Sequence, residues 1–218
     1  MSTYYSTRST MARERREAVA ATAGPRRPVA SVLTPFWGLY TIKEGHYMAN
    51  LCSGQLVVTG PDPDLARFRR AAVGVWPWRQ WGDPDDKKHE LMVTNFVPPS
   101  WEAINDYQNV GSNWTRSVLG TKWGAYDVEV ETGPEQLIYQ FTTAWTGLSD
   151  TVIEAMSKRF PALAFRYQYD EPGNLFEGAI AAEAGEITEE WDREGDNYEG
   201  ILCGPPESGE EVSEEGQV

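Results

Sequence analysis

The sequence predicts an α+β sandwich, an antiparallel sheet with helices on one face, laid out as a split β-α-β unit with a helical insertion. Three observations carry this expectation. Tyr126, Val128 and Val130 alternate with Asp127, Glu129 and Glu131, which puts oily side chains on one face of a strand and carboxylates on the other. Such a strand is covered on a single side, so the sheet keeps an open, polar surface. A β-rich run over residues 47–60 passes through Gly60-Pro61 into helical spacing at Leu65, Phe68, Ala71 and Ala72, so a strand feeds a helix. The same materials return in reverse order near the end, where Val152, Ile153 and Met156 form a helical stripe and Leu163, Phe165, Tyr167 and Tyr169 alternate after Pro161.

The elements follow in chain order. Residues 1–46 mix Ser, Thr, Arg and Ala with prolines, show no sustained apolar period, and are expected to be a disordered basic extension. Its aromatic run at residues 35–40 either packs on the domain or meets a partner. The folded domain is expected over residues 47–187, the commonest single-domain size. Asp62 is the predicted cap of the first helix, Pro63 suits its opening turn, and Gly74 ends it. A long loop over residues 75–88 then carries Trp76, Trp78 and Trp81. Residues 91–97 read as a strand stopped by Pro98-Pro99, and Ser100 caps a helix through Trp101 and Ile104. Ser112 caps a further short helix, which Gly120 closes in the left-handed conformation. Gly133-Pro134 turns residues 126–131 into a hairpin with residues 137–145. Ser149 or Asp150 caps the last helix, and residues 176–182 add an edge strand. Residues 188–218, dense in glutamate, are expected to be a disordered acidic tail.

Charge and cysteine content narrow the classes of function. The net charge of −14 is uneven, with arginines gathered at the start and carboxylates at the end. An acidic body is repelled by phosphate backbones, so general nucleic-acid binding is disfavoured. Cys52 and Cys203 provide neither a disulfide framework nor a zinc site, and the chain reads as cytoplasmic. No run is apolar and long enough to span a membrane.

No catalytic motif stands out, so the candidate residues are binding ones: Trp76, Trp78, Trp81, Lys122, Trp123 and Asp127. The three loop indoles are either anchors for a partner or covers folded back over the core edge. Lys122 pairs with Asp127, holds a ligand anion, or closes the turn by a structural hydrogen bond. Trp114, Trp123 and Trp145 are expected to cluster under the sheet, with a pocket lining as the alternative for one of them. Asp127, Glu129 and Glu131 stand about 7 Å apart along a strand and could share a divalent cation, or form a solvated face. His46 and His89 have no partner at ligand spacing and are expected in exposed loops. No metal and no cofactor is expected.

Several runs together resemble a known family. They are Met48-Ala49-Asn50-Leu51-Cys52-Ser53, Leu56-Val57-Val58-Thr59-Gly60, Gly120-Thr121-Lys122-Trp123 leading into Tyr126-Asp127, Thr143-Ala144-Trp145, and Glu171-Pro172-Gly173 with Phe176 and Gly178. In this order, over about residues 48–190, they are similar to the YubB-type ferredoxin-like domains carried by bacterial plasmids and phages. Leu51 stands where that family often has tryptophan, and Gly54 where it often has asparagine. The resemblance implies a ferredoxin-like fold, a mobile-element origin and a bacterial host cytoplasm. It also implies that residues 1–47 are an extension or an upstream start. It implies no activity, and the chain lacks the cysteines of an iron–sulfur cluster. The leading expectation is a non-enzymatic accessory protein that binds a host or phage protein, with its acidic tail as an electrostatic decoy. The alternatives are a metal-dependent enzyme using the Asp127/Glu129 strand face and a single-stranded nucleic-acid binder.

Overall fold

The computed structural model describes residues 50–78 and 88–202. Strand β1 (Leu51–Thr59) leads through Gly60-Pro61 into helix α1 (Asp62–Ala72), followed by the two-residue strands β2 (Gly74–Val75) and β3 (Lys88–His89), which pair with each other. A helical segment follows, with α2 (Trp101–Asn105) and α3 (Ser112–Trp114) separated and continued by wide π-type turns at Tyr107–Gly111 and Thr115–Leu119. Strands β4 (Tyr126–Gly133) and β5 (Gln136–Ala144), helix α4 (Asp150–Arg159), and strands β6 (Ala164–Glu171), β7 (Phe176–Glu183) and β8 (Glu186–Glu194) complete the chain. The main sheet is antiparallel throughout, in the order β4-β5-β1-β6-β7-β8. Because β5 lies between β1 and β4, the unit β1-α1-β4 is split as expected.

Burial explains why these runs become these elements. Along β1, Cys52, Leu56 and Val58 are fully buried and alternate with half-buried Ser53, Gln55 and Val57. Leu56 sits opposite Tyr139 of β5 and Tyr167 of β6, both fully buried. Helix α1 lays Leu65, Phe68 and Ala72 on this face, and α4 lays Val152, Ile153 and Met156 beside them. The first turn of α1 carries Asp62 and Asp64 and the last turn Arg69 and Arg70, which suits the helix dipole. Phe68 is the hub of the core, with ring centroids 5.4 Å from Phe96, Phe160 and Phe165 and 5.9 Å from Tyr139.

Among the described residues, no helix covers the opposite face. Gln140, Gln55 and Gln168 stand in register across β5, β1 and β6, flanked by Glu129 on one side and by Ala179 and Trp191 on the other. Amides and carboxylates here keep their hydration, as expected of a one-sided sheet. Val128 and Val130 of β4 pack on the core while Asp127, Glu129 and Glu131 are exposed, so the two-sidedness read from this stretch holds. Its strict alternation breaks at one point. A bulge with Asp127 at φ 50° puts Tyr126 opposite Thr142, where continuing the Glu129–Gln140 pairing would have put Asp127.

Several expectations are corrected. Residues 91–97 are not a strand but a connector with a 3-10 turn at Val93–Asn95. Leu91, Met92 and Val93 are apolar because they are buried against the end of α1, where the Met92 amide donates to Ala72 O at 2.7 Å. The Asn95 side-chain Nδ2 donates to Ala71 O and Val73 O, satisfying carbonyls at the end of α1. A short apolar run is compatible with either outcome, and tertiary burial decides. Asp62 is the first helical residue of α1, with Pro61 in the capping place. Ser100 does cap α2, accepting from the Ala103 amide at 3.1 Å, but Trp101 points to solvent at 79% exposure and Ala103 is the buried member. Ser112 caps nothing: it has helical φ and ψ, and its hydroxyl donates to Gln108 O.

The sheet also continues past residue 187, where the domain was expected to end. Strand β7 is not an edge, because β8 pairs along it. In β8, Glu189, Trp191 and Arg193 are the half-buried places of an alternation that its charges conceal, and across a bulge Ile187 packs on the core opposite Ala182. Arg193 lies over the Trp191 ring at 4.8 Å, and Arg166 pairs with Glu189 at 3.4 Å. Beyond β8 the chain folds back onto two fully buried carboxylates, Asp170 and Glu177, which face each other across β6 and β7. Glu177 accepts from the Glu199 and Ile201 amides at 3.1 and 2.9 Å, and Asp170 from the Leu202 amide at 2.9 Å and the Tyr198 hydroxyl. Residues 188–202 are thus part of the folded unit. The expected basic extension over residues 1–46 and the remainder of the acidic tail, residues 203–218, lie outside the described residues.

Candidate functional site

The site grows from the turn that ends the helical segment. Gly120 takes φ 83° and stops the last wide turn, leaving Thr121-Lys122-Trp123 to cross to the end of β5. The Thr121 hydroxyl donates to Ala144 O at 2.7 Å and accepts from the Ala144 amide at 3.1 Å, which pins the turn to the strand. Thr146 reaches Gly120 O, Thr143 reaches Thr146 O at 2.7 Å, and Ser149 reaches Val118 O at 2.5 Å. Buried hydroxyls therefore tie the two turns together. A Cβ at Gly120 would lie 2.9 Å from Ser149 N, in a backbone conformation that L-residues resist. Gly120→Ala is expected to lower stability by about 1–3 kcal/mol, readable in a urea titration.

On this base Trp145 is held at φ 74°, left-handed geometry that is strained for a large side chain, with its amide donating to Asn50 O at 2.8 Å. The strained backbone leaves the indole 40% exposed. The Lys122 ammonium lies 4.8 Å from the ring centres of both Trp123 and Trp145, and the Arg116 guanidinium lies 5.6 Å from Trp145. These are cation–π distances, and among the described residues neither cation pairs with a carboxylate. Beneath them the Tyr126 ring meets Trp123 at 6.3 Å, and burial pushes its hydroxyl up to about 12. Burial likewise pushes the Cys52 thiol up to about 12, leaving it neutral and inert.

The other candidates are placed elsewhere. Trp78 is buried, donates to Ala103 O at 2.8 Å, and packs against Trp76, Tyr107 and Trp114 at 5.2–5.7 Å. Trp76 packs against the core beside Gly124. These two indoles are covers over the core edge. Trp81 lies outside the described residues, as do His46 and Cys203. The expected cluster of Trp114, Trp123 and Trp145 does not form: Trp114 belongs with Trp78, and Trp123 and Trp145 flank Lys122. Asp127 is exposed at its bulge, and the Lys122 ammonium lies over the indoles instead of pairing with it. His89 is half-buried in β3, not in a loop. Among the described residues no group of three or more His, Cys, Asp or Glu could hold a metal ion. A recess of about 380 Å³ at the opposite end of the sheet, lined by Thr59, Gly60, Pro61, Pro134, Glu135 and Gln136, has Glu135 as its one ionisable side chain. Sequence reasoning missed Arg116, whose trace is its helical distance from the Gly120 stop, and did not count Trp145 among the binding candidates.

The split β-α-β order with helices on one face defines a ferredoxin-like α+β domain, and residues 122–215 match the family model described as the ferredoxin-like domain in Api92-like protein. Among solved structures, the chain is similar in fold to protein api92 from Yersinia pseudotuberculosis. That match has 9% identity and a TM-score of 0.53, and it covers 68% of this chain and 99% of the other. Curated proteins include no match to the chain. Among the described residues, no helix is long and apolar enough to cross a membrane.

Proposed function

We propose that this chain is a non-enzymatic accessory protein of a plasmid or phage that binds another protein in the bacterial cytoplasm, with Arg116, Lys122, Trp123 and Trp145 as its contact surface. One observation carries the reading: a strained backbone holds Trp145 outward beside two cations that, among the described residues, lie against indoles and pair with no carboxylate. Tryptophan and arginine dominate the energetics of protein interfaces, and strain kept in a stable fold tends to mark a working surface. The fitting partner is a protein surface that sets carboxylates around an apolar spot. The resemblance to YubB-type domains supports the mobile-element setting. Nucleic acid fits less well, because the net charge of −14 repels it and the aromatic residues Phe165 and Tyr167 are buried under the helices. A metal enzyme on Asp127 and Glu129 has little support, since both are exposed and no third ligand joins them among the described residues.

The test is photocrosslinking from position 145 of the full chain in host cells, with position 131 as the remote control, followed by titration calorimetry with the partner identified. Trp145→Ala should weaken binding about 30-fold, equivalent to about 2 kcal/mol. Trp101→Ala, at a more exposed indole outside the patch, should leave it unchanged. A partner whose affinity survives both Trp145→Ala and the Arg116→Gln/Lys122→Gln pair would overturn the proposal.

A further inference from the structure

We infer that the indole and cation patch takes a short linear segment of its partner, in which an apolar side chain has a carboxylate two residues away on each side. The inference rests on the proposed reading of the patch as a protein-contact surface and names the piece that makes the contact. The Lys122 ammonium is shared by the indoles of Trp123 and Trp145, 4.8 Å from each ring centre. Lys122 is half-buried, and it pairs with no carboxylate among the described residues. Arg116 is exposed and lies 5.6 Å from the Trp145 ring centre, also without a carboxylate among them. Cations met only by ring faces keep N–H donors for an anion.

Size and spacing set the form of the ligand. Four side chains, two of them half-buried, expose far less than the roughly 800 Å² that each folded partner buries in a standard interface. A linear segment needs less, because it brings only the residues that touch. When it is extended, its alternate side chains project to one face about 7 Å apart. An apolar side chain laid on the exposed part of Trp145 therefore has its flanking carboxylates about as far off as Lys122 and Arg116 stand from that ring. Trp145 receives it without rearranging, since φ 74° and the bond from its amide to Asn50 O already fix the backbone that turns the indole outward. Charge favours carboxylate over phosphate. Two separate cations on one ring match two single anions, whereas a phosphate gathers its charge at one point, on a chain of net charge −14 with Asp127 and Glu129 exposed on the strand after Trp123.

The test uses the full chain, isotope-labelled so that the indole N–H signals of Trp123 and Trp145 can be followed by NMR and assigned with Trp123→Phe and Trp145→Phe. The probe is the acetylated and amidated peptide Gly-Asp-Ser-Phe-Ser-Asp-Gly. It should move both signals saturably below about 1 mM, the weak range expected of so few contacts, while those of Trp78 and Trp191 stay in place. Asparagine for both aspartates of the peptide, or glycine for its phenylalanine, should weaken binding at least about tenfold. In the chain, Trp145→Ala and the Arg116→Gln/Lys122→Gln pair should each do the same. Binding should also weaken as NaCl rises from about 0.05 to about 0.5 M, where screening shortens to a few ångströms. Unmoved signals at about 1 mM peptide overturn the inference and leave the patch to a folded partner surface; the crosslinking test decides separately whether any partner uses it. Equal binding of the asparagine or the glycine peptide overturns it as well. The same shifts with sodium acetate alone reduce the site to adventitious anion binding and overturn it. Tighter binding of the peptide with phosphoserine in place of its aspartates assigns the patch to phosphate and overturns the carboxylate.

Discussion

Phe68→Ala is expected to lower the unfolding free energy by about 3–5 kcal/mol, the largest effect of any single truncation in this core. The reason is position as much as size. Phe68 is fully buried on α1 and meets four aromatic rings, from the connector after β3, from β5, from the chain just past α4 and from β6, each within 6 Å. Removing the ring leaves a cavity whose walls are anchored to four separate segments, so they cannot all collapse into it. Domains of this size have about 5–15 kcal/mol in hand, and the variant should sit near the threshold of folding. Urea titration with an unchanged slope would confirm the cost. A loss under about 1 kcal/mol would show that α1 is not the keystone described.

Glu177→Gln is expected to detach the segment after β8, at a cost of about 3 kcal/mol, since hydrogen bonds to a charged group are worth about 1.5–3 kcal/mol each. Glu177 is fully buried, and both of its oxygens accept, one from the Glu199 amide and Arg193, the other from the Ile201 amide. A glutamine is nearly the same shape but keeps one accepting oxygen and turns an N–H toward the remaining donor. Asp170→Asn should act in the same direction through Leu202 and Tyr198. Hydrogen exchange decides the matter: the amides of residues 199, 201 and 202 should exchange at least about tenfold faster in either variant, while those of β1 are unaffected. If they keep wild-type protection, the buried carboxylates are not what holds the chain end in place.

Much of the framework could be read from residue spacing. The β-rich run of β1, the alternations of β5 and β6 and the stripes of α1 and α4 emerge as read, because their apolar residues fall at the spacing each element requires. Strand β8 was hidden because Glu189 and Arg193 occupy half-buried places that ion pairs with Arg166 and Glu177 make tolerable, and both partners come from distant sequence. Residues 91–97 misled for the opposite reason, since their apolar run is buried by α1 with no strand beside it.

The candidate site was legible only in part. Lys122 and Trp123 could be singled out from the turn after Gly120, but their company could not. Trp78 and Trp145 are the same residue type at the edge of the same core, yet one is buried and the other stands 40% exposed. What separates them is a carbonyl at Ala103 placed to receive the Trp78 N–H, and a backbone at Trp145 forced to φ 74° by the threonine bonds around it. Sequence by itself determined the two-sided sheet and its helical cover, since period-two and helical spacing are local properties of the chain. Which indoles meet solvent, and which cations lack a carboxylate among the described residues, only the tertiary structure decided, because burial and pairing depend on groups that the fold brings together from far apart.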